Sequence, residues 1–131
     1  MKTTLIIFGF SVLFMCGNVY ASQQASWYGA EACRYNKDKR CPTASGDSLY
    51  VLLEKERNGG EHFSASWFYK LGTVIEVCRE DDRSRCVKTR VLDRGPNKRL
   101  TNRVVDLSES AFAELASPRQ GLVNVTVKEI K

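Results

Sequence analysis

A β-prone run stops at an acid in Arg90-Val91-Leu92-Asp93, and Arg94-Gly95-Pro96 turns the chain at once. A carboxyl fixed by a stiff turn at a strand end is well placed to exchange a proton with something bound beside it, since rigid elements hold reacting groups most accurately. Pro96 fixes its own φ and removes a backbone donor. Arg94 can hold the acid's charge or orient a substrate oxygen. The plainer use of Asp93 is to cap the turn by accepting backbone amides. Asp47 lies in a second glycine-marked turn, Thr43-Ala44-Ser45-Gly46-Asp47. Asp106 precedes a helix-like segment, where an acid is favoured by the helix dipole, and is expected to do that structural job. His62 is the sole histidine of the chain and is expected to be an ordinary surface or hydrogen-bonded residue. No Ser-His-Asp arrangement can be argued for from these residues. Trp27, Tyr28, Trp67, Phe68 and Tyr69 fit a small core, and their faces also suit stacking on sugar rings. Tyr28 and Tyr69 carry hydroxyls, so they are better suited than Phe68 to line a groove.

The elements that must position these groups are mostly strands. Gln24-Ala25-Ser26-Trp27-Tyr28, Thr73 to Cys78, Cys86 to Leu92 and Arg103 to Leu107 read as strands from their β-branched and aromatic content. Leu122 to Ile130 is the clearest, because Val123, Val125 and Val127 recur at period two. Leu49 to Arg57 predicts a short helix stopped by Asn58-Gly59-Gly60. Ser108 is a natural N-cap for a helix running to Ala116, before Ser117-Pro118. Glu61 to Thr73 is ambiguous. Strands, turns and few helices predict an all-β domain with short helices, a barrel or a sandwich.

The chain has 131 residues, which suggests one domain. Residues 1–21 read as a signal peptide: Lys2 is the positive start, Leu5 to Met15 is apolar, and Val19-Tyr20-Ala21 fits the cleavage rule. That run is too short to span a bilayer comfortably, and no stable membrane insertion is expected once it is removed. Lipidation at Cys16 is disfavoured by the bulky Phe14 and Met15 before it. Residues 22–131 are then an exported domain, periplasmic or secreted, in an oxidising compartment. Four of the five cysteines lie there, at 33, 41, 78 and 86. Three pairings are possible. The local one, Cys33–Cys41 with Cys78–Cys86, is expected, because Cys78 ends one β-run and Cys86 opens the next. Zinc prefers closely spaced pairs, and seven residues intervene in each of these. The net charge of +5 suits an acidic polymer or surface. No nucleic-acid motif is present, and nucleic acid is not an expected partner.

The order of the motifs resembles a known family. Ala25-Ser26-Trp27-Tyr28-Gly29, then Thr43 to Asp47, then Leu71-Gly72-Thr73 leading a strand, then Asp93-Arg94-Gly95-Pro96, then Val105-Asp106-Leu107-Ser108 and the last strand follow the rare lipoprotein A (RlpA) family. The likeness runs from about Ala25 to Ile130. It implies a six-stranded double-psi β-barrel and an envelope lytic transglycosylase. Expansins, barwin-like proteins and some small endoglucanases are similar in fold. The resemblance implies that Asp93 is catalytic. It also puts Asp47 at the family's second acidic position, one methylene shorter than its glutamate. The family's histidine position falls on Ser66, and Leu49 to His62 resembles an insertion. Ser66, Arg94, Tyr28 and Tyr69 are the expected substrate contacts.

In that chemistry one carboxyl protonates the glycosidic oxygen and then takes a proton from the muramoyl 6-hydroxyl, which closes a 1,6-anhydro ring. Asp93 is expected to serve, with Asp47 orienting substrate, and neither metal nor organic cofactor is required. The expected partner is peptidoglycan or a related polysaccharide, engaged by a monomer. A non-catalytic, expansin-like polysaccharide binder or effector is the alternative, because Ser66 replaces the family's histidine.

Overall fold

The computed structural model describes residues 22–97, 99 and 102–131; the expected signal peptide, 1–21 with Cys16, lies outside them. The strands are β1 (Gln24–Tyr28), β2 (Phe63–Ala65), β3 (Val74–Arg79), β4 (Cys86–Asp93), β5 (Arg103–Ser108) and β6 (Val123–Glu129). They close into a barrel in the order β1-β5-β2-β4-β3-β6. The β1/β5 and β2/β4 pairs are parallel and the others antiparallel. Closure gives each of these strands two neighbours, so the sheet keeps no open edge. The six-stranded, all-β barrel expected from the sequence is the fold observed.

Alternation builds the interior. On β4, Val87, Thr89 and Val91 are buried while Lys88 is exposed. On β6, Val123 and Val125 are buried around the exposed Asn124. These residues meet Ile75, Val77, Val105 and Leu107 inside, and Phe112 and Leu115 pack on the same core. Each such aliphatic or aromatic side chain contributes about 1.5–3 kcal/mol by leaving water. The ambiguous stretch after Glu61 yields the three-residue β2, all of it buried. Its inward Ser64 is satisfied by the Thr89 hydroxyl at 2.8 Å, so a polar pair sits in the barrel without an orphaned group.

Two helices flank the barrel. α1 (Leu49–Arg57) has the expected bounds and stops where Gly59 turns at φ 88°. Its Leu49 and Leu52 join Cys33, Cys41 and Phe63 in a second core outside the barrel, with Tyr28 and Leu92 against it. α2 (Glu109–Ala113) is capped by Ser108, whose Oγ accepts from Ala111 N at 3.3 Å. It is shorter than expected because Leu115 N and Ala116 N both turn back to Phe112 O, ending the helix in a tight turn. Among the described residues, no helix is long and apolar enough to cross a membrane.

Both local disulfides form. Cys33–Cys41 closes the loop before α1, and Cys78–Cys86 joins two register partners beside the loop of the β3/β4 hairpin. Sulfur is thus spent on bridges rather than on zinc, and these bridges fit an oxidising, extracellular setting.

Candidate active site

The short strand β2 organises the site. It lies between β4 and β5, and its Ala65 is register partner to Asp93 on one side and Asp106 on the other. A register shift between Ser64 and Ala65 brings Asp93 opposite Ala65, passing over Leu92. Two strand spacings put the backbones of the two acids about 10 Å apart. Ala65 is small, and Gly95 has no side chain: a Cβ there would stand 3.9 Å from Asp106 Oδ2. The result is a groove of about 340 Å3 whose walls include Tyr28, Thr43, Ala65, Asp93, Arg94 and Asp106.

Among the described residues, three donors converge on the Asp93 carboxyl. Ala44 N and Arg94 N donate to Oδ1 at 3.0 and 2.8 Å, and the Tyr28 hydroxyl donates to Oδ2 at 3.3 Å. The turn-capping use and the groove position therefore coexist in one side chain. Ser45 N donates to Leu92 O at 3.0 Å, which docks the 43–47 turn on the end of β4. Tyr28 is held edge-on to Phe63 at 6.1 Å. Burial, followed by the charges of Asp93 and Asp106, raises the Tyr28 hydroxyl far above its usual range. It therefore remains a donor across physiological pH.

Asp106 differs from Asp93. It sits inside β5 rather than at the start of α2, opposite Ser26 of β1. Its carboxyl is pushed up to about 6, chiefly because burial disfavours the charge. The Ser26 hydroxyl, which donates to Oδ1 at 3.2 Å, and Arg103 oppose that shift; the charges of Asp93 and Glu31 add to it. The groove thus brings together Asp93, whose side chain is surrounded by donors, and Asp106, an acid that keeps its proton to unusually high pH.

The other expected site residues divide. Tyr28 and Arg94 reach the groove. Arg94 Nη1 donates to Ser66 O at 2.7 Å and to Tyr69 O at 2.5 Å, so it stitches the Asp93 turn to the segment after β2. Ser66 is fully buried; its hydroxyl donates to Val104 O at 2.8 Å and accepts from Phe68 N, so it does not present itself to substrate. Tyr69 packs against the barrel core outside the groove, and its hydroxyl is raised by burial and then by Glu129. Asp47 opens on a separate groove with Lys55, Glu61 and Arg90, and it accepts from the Ser45 hydroxyl at 3.1 Å. In the Asp93 groove the second acid is Asp106. His62 pairs with Glu56 at 2.9 Å, and Glu56 accepts from Ser108 at 2.5 Å, which ties α1 to β5 in another cavity. Asp106 lines the groove, and sequence reasoning gives it only a structural job. The missing signal was long-range: its placement depends on Ala65 and Ser26, far away along the chain. Glu76, Cys78 and Cys86 are the one metal-like grouping among the described residues, and its two sulfurs are bonded to each other.

The closed six-strand barrel, with its parallel β1/β5 and β2/β4 pairs, is of the double-psi class. The chain belongs to the family described as lytic transglycolase, whose profile matches residues 20–127. The resemblance noted from the motifs is thereby borne out. Among solved structures the chain is similar to the Streptomyces papain inhibitor, with 20% identity and a TM-score of 0.56, covering 84% of this chain and 93% of that one. It is similar to the Clavibacter michiganensis expansin at 17% identity and a TM-score of 0.54, covering 84% of this chain and 50% of the expansin. Cerato-platanin 3 from M. perniciosa is similar at 13% identity and a TM-score of 0.53, covering 84% and 94%. These likenesses are of fold. No curated protein sequence matches the chain.

Proposed function

We propose that the groove cleaves the glycan strands of peptidoglycan by lytic transglycosylation, with Asp106 as the acid and then the base. The observation that carries this reading is the pairing of two unlike carboxyls around Ala65, one of them raised to about 6. Protonated Asp106 gives its proton to the glycosidic oxygen as the bond to C1 breaks. Asp93, oriented by Tyr28 and two backbone amides, stabilises the positive charge that develops at C1. Ionised Asp106 then takes the proton of the muramoyl 6-hydroxyl, whose oxygen closes on C1. No water is consumed, and the product carries a 1,6-anhydro ring. This moves the acid role expected of Asp93 to Asp106 and leaves Asp93 the electrostatic one. Asp47 sits outside this scheme.

Digestion of purified sacculi followed by mass spectrometry tests the reading. The parent should release 1,6-anhydromuramoyl products, and Asp106→Asn should reduce release by about 10²- to 10⁴-fold. Equal release by that variant would remove Asp106 from the mechanism.

Binding of a polysaccharide without cleavage is the second reading. It is favoured by Ser66, which stands at the family's histidine position and gives its hydroxyl to the backbone. A point mutant of the Clavibacter expansin, at 16% identity, is described in complex with cellohexaose. Retention on insoluble glycan with no released product would support this reading over the first.

A further inference from the structure

The disulfide-closed loop beside the groove carries charge that the catalytic scheme does not use. Between Cys33 and Cys41 the chain sets Arg34, Lys37, Lys39 and Arg40 against the single acid Asp38. All four cations are exposed. Arg40 is committed to Asp38, with Nε donating to Oδ1 at 3.2 Å and Nη2 to Oδ2 at 2.9 Å. Arg34, Lys37 and Lys39 make no ion pair among the described residues. Arg34 lies 5.8 Å from the centroid of the Tyr35 ring, a contact that leaves its charge in place. Like charges gathered on one loop repel one another, and an anion bound there relieves the repulsion. The loop is also held in shape before any ligand arrives. The Cys33–Cys41 bridge closes its ends, Asn36 N donates to Cys33 O at 3.0 Å, and Asp38 N donates to Asn36 Oδ1 at 3.0 Å. Binding through these cations therefore costs less in ordering than it would on a loose chain.

The same loop forms one rim of the groove. Ala32, Asn36, Cys41 and Pro42 line it together with Asp93 and Asp106. The sign of charge thus changes from the inside of the groove, which holds acids, to its rim, which holds cations. A polymer charged along its main chain, such as a polyphosphate or a polyuronide, is disfavoured between the two acids. A strand with an uncharged sugar backbone and anionic branches matches both signs, with its backbone between the acids and its branches on the loop. We infer that Arg34, Lys37 and Lys39 bind the carboxylates of the peptide branches on a peptidoglycan strand seated in the groove. This rests on the glycan reading and deepens it: the substrate is the peptide-bearing strand rather than a bare one. The cations attract and orient the strand and take no part in bond cleavage.

The test is retention on purified sacculi in an Asp106→Asn background, so that the matrix is not consumed. One arm uses sacculi as isolated, and a second uses sacculi whose carboxylates have been converted to amides. Arg34→Gln with Lys37→Gln and Lys39→Gln removes the unpaired cations of the loop. Arg83→Gln with Lys88→Gln and Lys131→Gln removes the same net charge from other exposed positions. The expected result at low salt is that the loop variant is retained about tenfold more weakly than the parent, and the control variant less than about twofold more weakly. Amidation should bring the parent down to the level of the loop variant and leave that variant unchanged. Lys37→Arg with Lys39→Arg should keep the parent's retention. Equal losses from the loop and control variants, undiminished retention of the parent on amidated sacculi, or a parent that is not retained at all overturns the inference. Cleavage is followed separately in the matching Asp106 proteins. A parent that releases no anhydro products overturns the groove's chemistry, and the loop's binding is judged on retention alone.

Discussion

Asp106 couples stability to chemistry. Its carboxyl ionises at about 6 in the folded protein and near 4 in the unfolded chain. Between those values the folded state holds more protons than the unfolded one, so stability falls as pH rises from about 4 to 6 and is level above. The burden at neutral pH is about 2–3 kcal/mol. Asp106→Asn should therefore unfold at higher temperature than the parent at neutral pH, with the advantage lost near pH 4, even as cleavage disappears. Thermal melts across pH check this, and a variant less stable at neutral pH counts against a buried, destabilised acid. On the proposed mechanism, cleavage should also decline as pH rises through about 6, because the proton donor is lost. Tyr28→Phe should reduce cleavage about tenfold, since it removes one neutral donor from Asp93. Asp93 was legible as a candidate in the sequence, because the turn that fixes it is local. Asp106 was not, because its neighbour in sequence is a helix while its neighbours in space are Ser26 and Ala65.

At the scale of elements, the two disulfides do different work. Cys33–Cys41 braces the loop and second core beside Tyr28 and the 43–47 turn that donates to Asp93. Cys78–Cys86 bridges the β3/β4 hairpin beside its loop, at the end of β4 opposite to Asp93, and neither cysteine lines the groove. Each bridge is worth about 2–3 kcal/mol for such a short loop. Replacing either pair with alanine should lower the melting temperature, but only Cys33→Ala with Cys41→Ala should also impair cleavage at a temperature where both variants stay folded. Equal loss of cleavage from both would deny the first bridge its local role. These bridges, α1 and five of the strands were readable from local pattern. β2 was not: it is three residues long, and its inward serine breaks the apolar signal until Thr89 is seen to satisfy it.

The whole molecule is a barrel whose topology, rather than any single motif, creates the site. β2 is inserted between two strands that each bring an acid, and the parallel β2/β4 pairing sets Asp93 opposite Ala65. The overall class followed from strand content and motif order, but the partner of Asp93 depended on register, which local pattern does not encode. The net charge of +5 should make retention on acidic envelope glycan weaken as salt rises, because exposed charges are screened. Salt-insensitive retention would deny the basic charge a part in binding. The most direct measurement is mass spectrometry of the fragments released from purified sacculi by the parent and by Asp106→Asn. The expected result is 1,6-anhydromuramoyl ends from the parent and almost none from the variant. Reducing ends, or equal release from both proteins, would contradict the role given to the acid across from Asp93.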